Sequence, residues 1–557
     1  MKTKIKMKSF LNTLLGLFFA GVLFGCNNLH SPYDATINGR EILTPASGDK
    51  PQINGAAVLG VRPGKPIFYH TSVSGVKPIN YSAEGLPEGV QMDANTGWIT
   101  GQAPLTAGNY EITLLASNSK GKTKKKLTVS VGETICLTPP MGWNSWYVQS
   151  EGVSEEAIRD MATAMEEKGL DQYGWTYINI DDCWMGSRHP QTKAIQANSK
   201  FGDMKSMANF VNSKGFKLGI YSTAWMSTFA GYIGGTAPNA EGDYSEFYLP
   251  ESEIINPSQF FGRHPSSTQR GIAQVGPYWF IDRDAKQFAE WGIDYVKYDW
   301  VETKLVKDEK GKYSRPGTTE LRKSDSITGR FYNDFRSLDR DIVISLSPRH
   351  NPAEDTLVTK YCNLWRLTSD IKATWEDLTR AFSDELVARY PYTRPGLYGD
   401  LDMLQIGPLG KPNRAEKVFV PSPLTPSEQY LQVTLWSILS QPLLLSCNIP
   451  TMDNFDLNLV KNSEVLDVNQ DPLVKQGYRI ENKEGNYEIW AKDLADGSKA
   501  LAFFNLADEE QVLSITAEKL GKKGKIRDLW RQKDIGKLSN EFSVKVNAHG
   551  AAFFKVK

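Results

Sequence analysis

From residue 138 to about residue 468, short apolar runs with strand character alternate with segments of helical periodicity. The runs predicted to be strands are residues 141–145, 175–180, 216–221, 295–298, 342–346, 364–367, 398–404 and 443–445. Regular alternation predicts a parallel sheet, because two parallel strands need a crossover that a helix usually supplies. Eight such units in roughly 320 residues predict a (β/α)8 TIM barrel with enlarged loops over residues 136–468.

The first helix of this barrel is well marked in the sequence. Ser154 suits an N-cap, because its hydroxyl can accept a hydrogen bond from a free backbone N–H. Ile158, Met161 and Met165 recur on one face, and Gly169 is expected to end the helix.

The longest irregular segment of the predicted barrel is residues 228–275, which are rich in Gly, Pro, Ser and aromatic residues. A loop of this length in a barrel is more often functional than not. Two roles are left open: it builds subsites for the leaving group of a substrate, or it narrows the entrance.

The flanking regions have the short, alternating strands of all-β domains. Residues 51–135 are predicted to form a small sandwich that resembles the immunoglobulin-like modules of secreted bacterial enzymes. We interpret it as a spacer or accessory module, with sugar binding through Trp98 as an alternative. Residues 469–557 are predicted to form a C-terminal antiparallel β-sandwich, with strands at 487–491, 499–505, 511–515 and 551–556.

The N-terminus predicts export. Residues 1–8 are basic and residues 10–24 are largely apolar but short for a membrane span. Leu23-Phe24-Gly25-Cys26 resembles a bacterial lipobox, which predicts a signal peptide over residues 1–26, a lipid on Cys26 and a tether over residues 27–50. The protein is then a cell-envelope lipoprotein, at the outer membrane or in the periplasm, attached to the membrane through that lipid only. The alternative is plain secretion with cleavage nearby.

Charge and cysteine content exclude several classes of partner. The chain has 64 basic and 64 acidic residues, and removal of the four lysines among residues 1–8 leaves 60 basic residues. This balance does not fit a nucleic-acid-binding protein. The cysteines after Cys26 have no spacing typical of a zinc site or of a disulfide framework; they are Cys136, Cys183, Cys362 and Cys447. We expect no metal and no organic cofactor, and the oligomeric state is left open.

Carboxylates follow several of the predicted strands. The strand ends read Ile180-Asp181-Asp182, then Lys297-Tyr298-Asp299, then Arg366 followed by Asp370, and finally Asp400-Leu401-Asp402. A single Asp after a strand is often only a helix cap. A ring of acids with interspersed cations is costly unless a ligand or metal needs it. No His stands among these ends, so a sugar, whose hydroxyls donate hydrogen bonds to carboxylates, fits better than a metal.

These segments resemble glycoside hydrolase family 27, which contains α-galactosidases and α-N-acetylgalactosaminidases. The resemblance rests on motifs in the expected order, namely PPMGWNSW (139–146), YINIDDCW (177–184), KLGIY (217–221), YVKYDW (295–300), CNLWRLTSD (362–370), DLDMLQIG (400–407) and NQDPL (469–473). They extend from about residue 138 into the C-terminal domain. The resemblance implies a barrel with a β-sandwich behind it and a carbohydrate as substrate.

The resemblance also implies a role for individual residues. Asp299 is implied to be the nucleophile and Asp370 the general acid/base of a retaining mechanism. The residues implied to bind the sugar are Trp146, Asp181, Asp182, Tyr221, Lys297, Arg366 and Asp402. A retaining enzyme needs two carboxyl groups about 5–5.5 Å apart. Lys297, two residues from Asp299 on the same strand face, is expected to favour its ionised form.

The fifth strand departs from the family pattern. Members commonly end it with Cys-Glu-Trp, whose Glu contacts the 2-hydroxyl of the sugar, whereas this chain reads Ser345-Leu346-Ser347-Pro348-Arg349-His350. Ser347, Arg349 or His350 is then expected to face the 2-position, unless another loop does so. The resemblance also implies that Cys362 and Cys183 have lost their usual disulfide partners.

The sequence therefore predicts an exo-acting retaining α-galactosidase that removes terminal α-galactosyl residues. The alternatives are an α-N-acetylgalactosaminidase, a β-L-arabinopyranosidase or another α-glycosidase of the same family. The retention of both Asp181 and Asp182 favours a sugar with a 6-hydroxyl. A non-catalytic glycan-binding lipoprotein would not need Asp299 and Asp370 together.

Overall fold

The computed structural model describes residues 35–37, 40–245, 275–299, 306–307, 313–314, 325–349, 352–353, 357–410 and 418–557. The predicted lipid site at Cys26 lies outside the described residues, as do His350 and residues 246–274 of the long insertion. Among the described residues, no helix is long and apolar enough to span a membrane. No group of three or more His, Cys, Asp or Glu in the same residues is placed to hold a metal ion.

The N-terminal module is a small sandwich, as predicted. Its strands, with two that precede it, are β1 (Ala35–Ile37), β2 (Arg40–Ile42), β3 (Gln52–Ile53), β4 (Val58–Val61), β5 (Pro66–His70), β6 (Val73–Ser74), β7 (Asn80–Glu84), β8 (Val90–Met92), β9 (Trp98–Gln102), β10 (Gly108–Asn118) and β11 (Gly121–Val131). A four-stranded sheet, β4-β11-β10-β7, packs on the three-stranded sheet β5-β9-β8. Alternate residues at the end of β11 are buried in the core between them, namely Leu127, Val129 and Val131.

The central domain contains sixteen described strands. They are β12 (Met141–Asn144), β13 (Tyr177–Asn179), β14 (Met185–Arg188), β15 (Ile195–Ala197), β16 (Lys217–Ser222), β17 (Thr236–Ala237), β18 (Tyr278–Trp279), β19 (Ile293–Tyr298), β20 (Val306–Lys307), β21 (Tyr313–Ser314), β22 (Val343–Arg349), β23 (Leu364–Arg366), β24 (Tyr398–Asp400), β25 (Pro408–Gly410), β26 (Phe419–Pro421) and β27 (Leu443–Leu445).

Eight of these strands form one curled parallel sheet, and they coincide with the eight predicted from the sequence. The order is β24-β23-β22-β19-β16-β13-β12-β27, so the strands follow chain order and the last pairs with the first. A parallel bridge between Leu404 and Leu445 connects the segment after β24 to β27. The predicted barrel fold is confirmed, and the carboxyl ends of all eight strands therefore lie at the same end of the domain.

The helices of the central domain pack around this sheet. They are α1 (Trp146–Gln149), α2 (Glu155–Glu167), α3 (Met204–Ser213), α4 (Ile281–Trp291), α5 (Asp325–Arg336), α6 (Leu357–Lys360), α7 (Trp375–Thr379), α8 (Asp384–Val387), α9 (Pro426–Ile438), α10 (Asn454–Val460) and α11 (Ser463–Asn469). Helix α2 has the predicted form, because the Ser154 hydroxyl accepts a hydrogen bond from the Ala157 N–H at 3.2 Å. It ends before Gly169, whose φ of +71° suits glycine.

The C-terminal domain is all-β apart from the short helix α12 (Ala517–Leu520). Its strands are β28 (Tyr478–Lys483), β29 (Tyr487–Asp493), β30 (Lys499–Asn505), β31 (Gln511–Thr516), β32 (Gly524–Asp528), β33 (Lys533–Leu538), β34 (Glu541–Val546) and β35 (Ala551–Val556). The sheet β28-β29-β30-β35-β32-β33 and the pair β31-β34 enclose an apolar core, as the sequence predicts.

Part of the predicted tether, residues 27–50, is packed on the barrel and is not a free linker. Leu43 is buried, and its N–H donates to the Tyr430 hydroxyl at 3.0 Å. The Thr44 hydroxyl donates to the carbonyl of Asn458 at 2.9 Å. The sequence does not predict this packing, because Leu43 lies in a largely polar stretch.

The N-terminal module also contacts the barrel directly, at the end opposite to the strands' carboxyl termini. Arg62 forms an ion pair with Asp341 and donates to the carbonyls of Leu338 and Arg340 at 3.3 and 3.2 Å. Trp98, the alternative sugar-binding residue of this module, stacks on Phe68 with ring centroids 3.9 Å apart. That face of the indole is therefore not open to a sugar.

Candidate active site

Asp299 follows directly after β19, where the barrel opens. The Tyr221 hydroxyl, from the neighbouring strand β16, donates to Asp299 Oδ2 at 2.9 Å. Burial raises the pKa of Asp299, while the charge of Lys297 and the hydrogen bond from Tyr221 lower it. At the predicted position of the nucleophile, the structure thus has an acid whose ionised form is favoured by two neighbours, Lys297 and Tyr221.

Lys297 binds a different carboxylate. Its Nζ lies 2.8 Å from Asp181 Oδ2, which also accepts a hydrogen bond from Asn144 Nδ2 at 2.9 Å. The Lys297 charge nonetheless lowers the pKa of Asp299, in the direction that the sequence predicts. Together with the Tyr221–Asp299 hydrogen bond, these contacts join the ends of four neighbouring strands, β12, β13, β16 and β19, in one polar network.

Asp182 is held almost entirely by the protein itself. Its Oδ1 accepts a hydrogen bond from the Cys183 N–H at 2.6 Å, and its Oδ2 accepts one from the Ala230 N–H at 2.8 Å. The side chain of Thr228 adds another hydrogen bond. Burial raises the pKa of Asp182 to about 7. The first residues of the long insertion are therefore fastened to a predicted sugar-binding residue.

A second network lies at the ends of β23 and β24. Arg366 contacts Asp370 Oδ1 at 3.2 Å and Asp402 Oδ2 at 2.9 Å. Asp402 Oδ2 also accepts hydrogen bonds from the Tyr147 hydroxyl at 2.6 Å and from the Ile371 N–H at 2.9 Å. Asp402 has a φ of +78°, a conformation that costs a non-glycine residue energy and is common at functional sites.

The two networks lie at the same end of the barrel and interact electrostatically. The negative charge of Asp370 acts on Asp299 and raises its pKa, so the two carboxyl groups are within electrostatic reach of each other. The Asp370 side chain is 66% exposed, whereas that of Arg366 is 6% exposed. Trp146, at the start of α1, contacts Phe229 edge to face with centroids 5.9 Å apart and adds an aromatic wall.

The fifth strand, β22, is irregular where its sequence departs from the family pattern. Its pairing with β23 shifts register between Leu346 and Arg349, which is a β-bulge. Ser347 lies within this bulge and is half-buried. No hydrogen bond joins its side chain to another residue in the described part of the chain. The side chain of Arg349 lies outside the described residues, so the predictions for the 2-position stay predictions.

Sequence reasoning missed three contributors to the site: Tyr147, Asn144 and the segment 228–230. Tyr147 and Asn144 lie in or directly after the motif PPMGWNSW, so their neighbourhood was visible. Their partners, Asp402 and Asp181, lie 255 and 37 residues away along the chain, and only the fold brings them together.

Among the described residues, Cys136, Cys183, Cys362 and Cys447 form no disulfide bond. Cys183 and Cys362 are buried, and the implied loss of their usual disulfide partners stays a prediction.

Family models match each of the three domains. The model of Alpha galactosidase A matches residues 138–253 and 266–471, that of the Alpha galactosidase C-terminal beta sandwich domain matches residues 484–556, and that of an Ig domain matches residues 51–132. Alpha-galactosidase 2 of Arabidopsis thaliana is 29% identical over 426 residues, which cover 75% of this chain and 89% of that protein.

Solved structures share the fold. A candidate alpha-galactosidase/melibiase from Bacteroides fragilis NCTC 9343 has a TM-score of 0.75 and 27% identity, over 92% of this chain and 98% of that chain. A family 27 β-L-arabinopyranosidase from Geobacillus stearothermophilus has a TM-score of 0.58 and 24% identity, over 75% of this chain and 96% of that one, a likeness of fold alone. With the family model covering more than half of its length, the chain is a glycosidase that belongs to the alpha-galactosidase A family, glycoside hydrolase family 27.

Proposed function

We propose that the protein is a retaining exo-α-galactosidase, in which Asp299 is the nucleophile and Asp370 is the general acid/base. The observation that carries the proposal is the pair itself. Asp299 and Asp370 follow strands four and six of the barrel, and each has a cation from its own strand nearby, Lys297 or Arg366. Two carboxyl groups at one end of the barrel, close enough to interact, are what cleavage with retention requires.

In the first step, Asp299 attacks the anomeric carbon of the sugar and Asp370 gives its proton to the departing oxygen. We assign the attack to Oδ1, because Oδ2 is held by the Tyr221 hydroxyl. In the second step, Asp370 takes a proton from water, which attacks the same carbon and releases Asp299. Lys297 and Tyr221 support the proposal because both favour the ionised Asp299 that the first step needs.

Asp370 must start protonated, and Arg366 at 3.2 Å opposes this in the free enzyme. Asp370 is highly exposed in the free enzyme, so a bound substrate can remove its carboxyl group from water. Desolvation then favours the neutral acid. Once Asp299 is bonded to the sugar and neutral, its repulsion is lost and Asp370 can act as the base.

A second candidate, β-L-arabinopyranosidase activity, is favoured by the hydrogen bonding of Asp182. β-L-Arabinopyranose is galactose without its 6-carbon. An ionised carboxylate has about four acceptor positions, and the amides of Cys183 and Ala230 together with Thr228 use three of those of Asp182. The retention of Asp182 is therefore weaker evidence for a 6-hydroxyl than the sequence alone indicates.

A panel of nitrophenyl glycosides tests both candidates: α-galactoside, α-N-acetylgalactosaminide and β-L-arabinopyranoside. We expect the highest kcat/KM on the α-galactoside, and a higher value on the β-L-arabinopyranoside would establish the second candidate. Asp299→Asn is expected to reduce kcat by a factor on the order of a thousand or more on the best substrate. If Asp299→Asn and Asp370→Ala both cleave it at the wild-type rate, the proposed mechanism is wrong.

A further inference from the structure

A ring stack joins the C-terminal domain to the segment that carries Asp370. His549, two residues before β35, packs its imidazole on the indole of Trp375 at the start of α7. The ring centroids are 3.9 Å apart and the planes differ by 11°. His549 has a φ of +51°, the left-handed conformation that His adopts more readily than most residues but at some cost.

Two carboxylates contact the ring nitrogens of this imidazole. His549 Nδ1 lies 3.0 Å from Glu428 Oε1, and Nε2 lies 3.0 Å from Asp508 Oδ1. Because an ionised carboxylate only accepts hydrogen bonds, both contacts are satisfied together when both ring nitrogens carry protons.

Helix α7 and the residue after it grip the chain on both sides of Asp370. Asp377, in the helix, accepts a hydrogen bond from the Lys372 N–H at 2.6 Å. Arg380, directly after the helix, donates to the Ser369 hydroxyl at 3.0 Å and pairs with Asp377 at 3.0 Å. A shift of α7 is therefore passed to residues 369 and 372, which flank Asp370.

The Asp370 side chain depends on such support because most of its surface is open to solvent. It is 66% exposed and contacts Arg366 at 3.2 Å. A displacement of the order of 1 Å is enough to cost a catalytic group about a hundredfold in rate. We propose that His549 and Trp375 are positioning residues that, through α7, set the place of Asp370 for proton transfer to the leaving group.

This inference rests on the proposed role of Asp370 and predicts a dependence on the leaving group. His549→Asn is the main variant, because Asn tolerates a positive φ and removes the ring stack together with the ring nitrogens that contact Glu428 and Asp508. On the methyl glycoside of the best sugar, which needs a strong general acid, we expect kcat/KM to fall about tenfold or more. On the 2,4-dinitrophenyl glycoside, which departs without a proton, we expect kcat/KM to stay within about twofold of wild type.

Matched variants separate positioning from a loss of structure. Trp375→Ala should resemble His549→Asn, while Trp375→Phe, which keeps a ring for the stack, should recover most of the activity on the methyl glycoside. Lys545→Ala, which removes an exposed ion pair with Glu510 in the same domain, should act as wild type. We expect the domain to stay attached in all of them, because its other contacts with the barrel, such as the ion pair between Arg479 in β28 and Asp384 in α8 at 2.7 Å, are untouched.

Two results would overturn the inference: His549→Asn lowers kcat/KM equally on both substrates, or it lowers neither. Asp370→Ala, measured alongside, tests the proposed function independently. It should lose activity on the methyl glycoside far more than on the dinitrophenyl glycoside. If Asp370→Ala shows no such difference, the assignment of Asp370 is wrong, whatever His549→Asn does.

Discussion

Removal of the Tyr221 hydroxyl is a sharp test of how the nucleophile is kept ionised. In Tyr221→Phe, Asp299 Oδ2 loses a hydrogen bond of 2.9 Å that lowers its pKa, while the burial that raises this pKa remains. The pKa of Asp299 in the variant must therefore be higher than in the wild type. A hydrogen bond to a charged group contributes about 1.5–3 kcal/mol, which corresponds to a tenfold to roughly hundredfold smaller ionised fraction at acidic pH.

The assay is kcat/KM against pH on the best nitrophenyl glycoside, because this quantity reports the ionisation of the free enzyme. We expect the acidic limb of Tyr221→Phe to move to higher pH, with a loss of about tenfold or more at acidic pH and a smaller loss near neutrality. Tyr147→Phe is the matched control, since it removes a hydroxyl that binds Asp402 at 2.6 Å. Its acidic limb should stay in place. An unmoved limb in Tyr221→Phe, or one moved to lower pH, would refute the reasoning.

Three further predictions concern stability and export. Arg188 and Asp284 form a buried ion pair, with side chains 1% and 2% exposed. Arg188→Met leaves the charge of Asp284 buried without its partner, and we expect it to lower the free energy of unfolding, measured in denaturant, by about 3–5 kcal/mol. The double variant Arg188→Met with Asp284→Asn should recover part of that loss. Burial lowers the pKa of Lys492 to about 7, so the folded state holds fewer protons than the unfolded one above that pH, and stability should rise with pH. The Tm of wild type relative to Lys492→Met should therefore increase between about pH 7 and pH 9, and a constant difference would contradict this. Cys26→Ser should abolish the lipid that mass spectrometry is expected to find on the mature N-terminus of the wild type, and an unlipidated wild type would show plain secretion.

The barrel was predictable from the sequence because its signals are local. Each strand is a short apolar run and each acid follows its strand closely, so the amino-acid order alone places Asp181, Asp299 and Asp370 at one end of the sheet. Helix α2 was predictable for the same reason, since Ser154 and Gly169 mark its two ends.

The contacts between these elements were not predictable, because they join residues far apart along the chain. Arg62 meets Asp341 across 279 residues, and no local pattern distinguishes it from a surface arginine. The pairing of Lys297 with Asp181, not with Asp299, likewise depends on the register of three strands. The hydrogen bond from the Ala230 N–H to Asp182 depends on the path of the insertion, and the amino-acid composition of a loop does not predict its path.

The central claim is that Asp299 forms a covalent bond with the sugar. The most direct measurement is mass spectrometry of a peptide digest after treatment with 5-fluoro-α-D-galactosyl fluoride, whose second fluorine slows the release of the trapped sugar. We predict a single fluorogalactosyl adduct on the peptide that contains Asp299, and no adduct in Asp299→Asn. An adduct on another carboxylate, or hydrolysis that releases the inverted anomer with no adduct at all, would contradict the account.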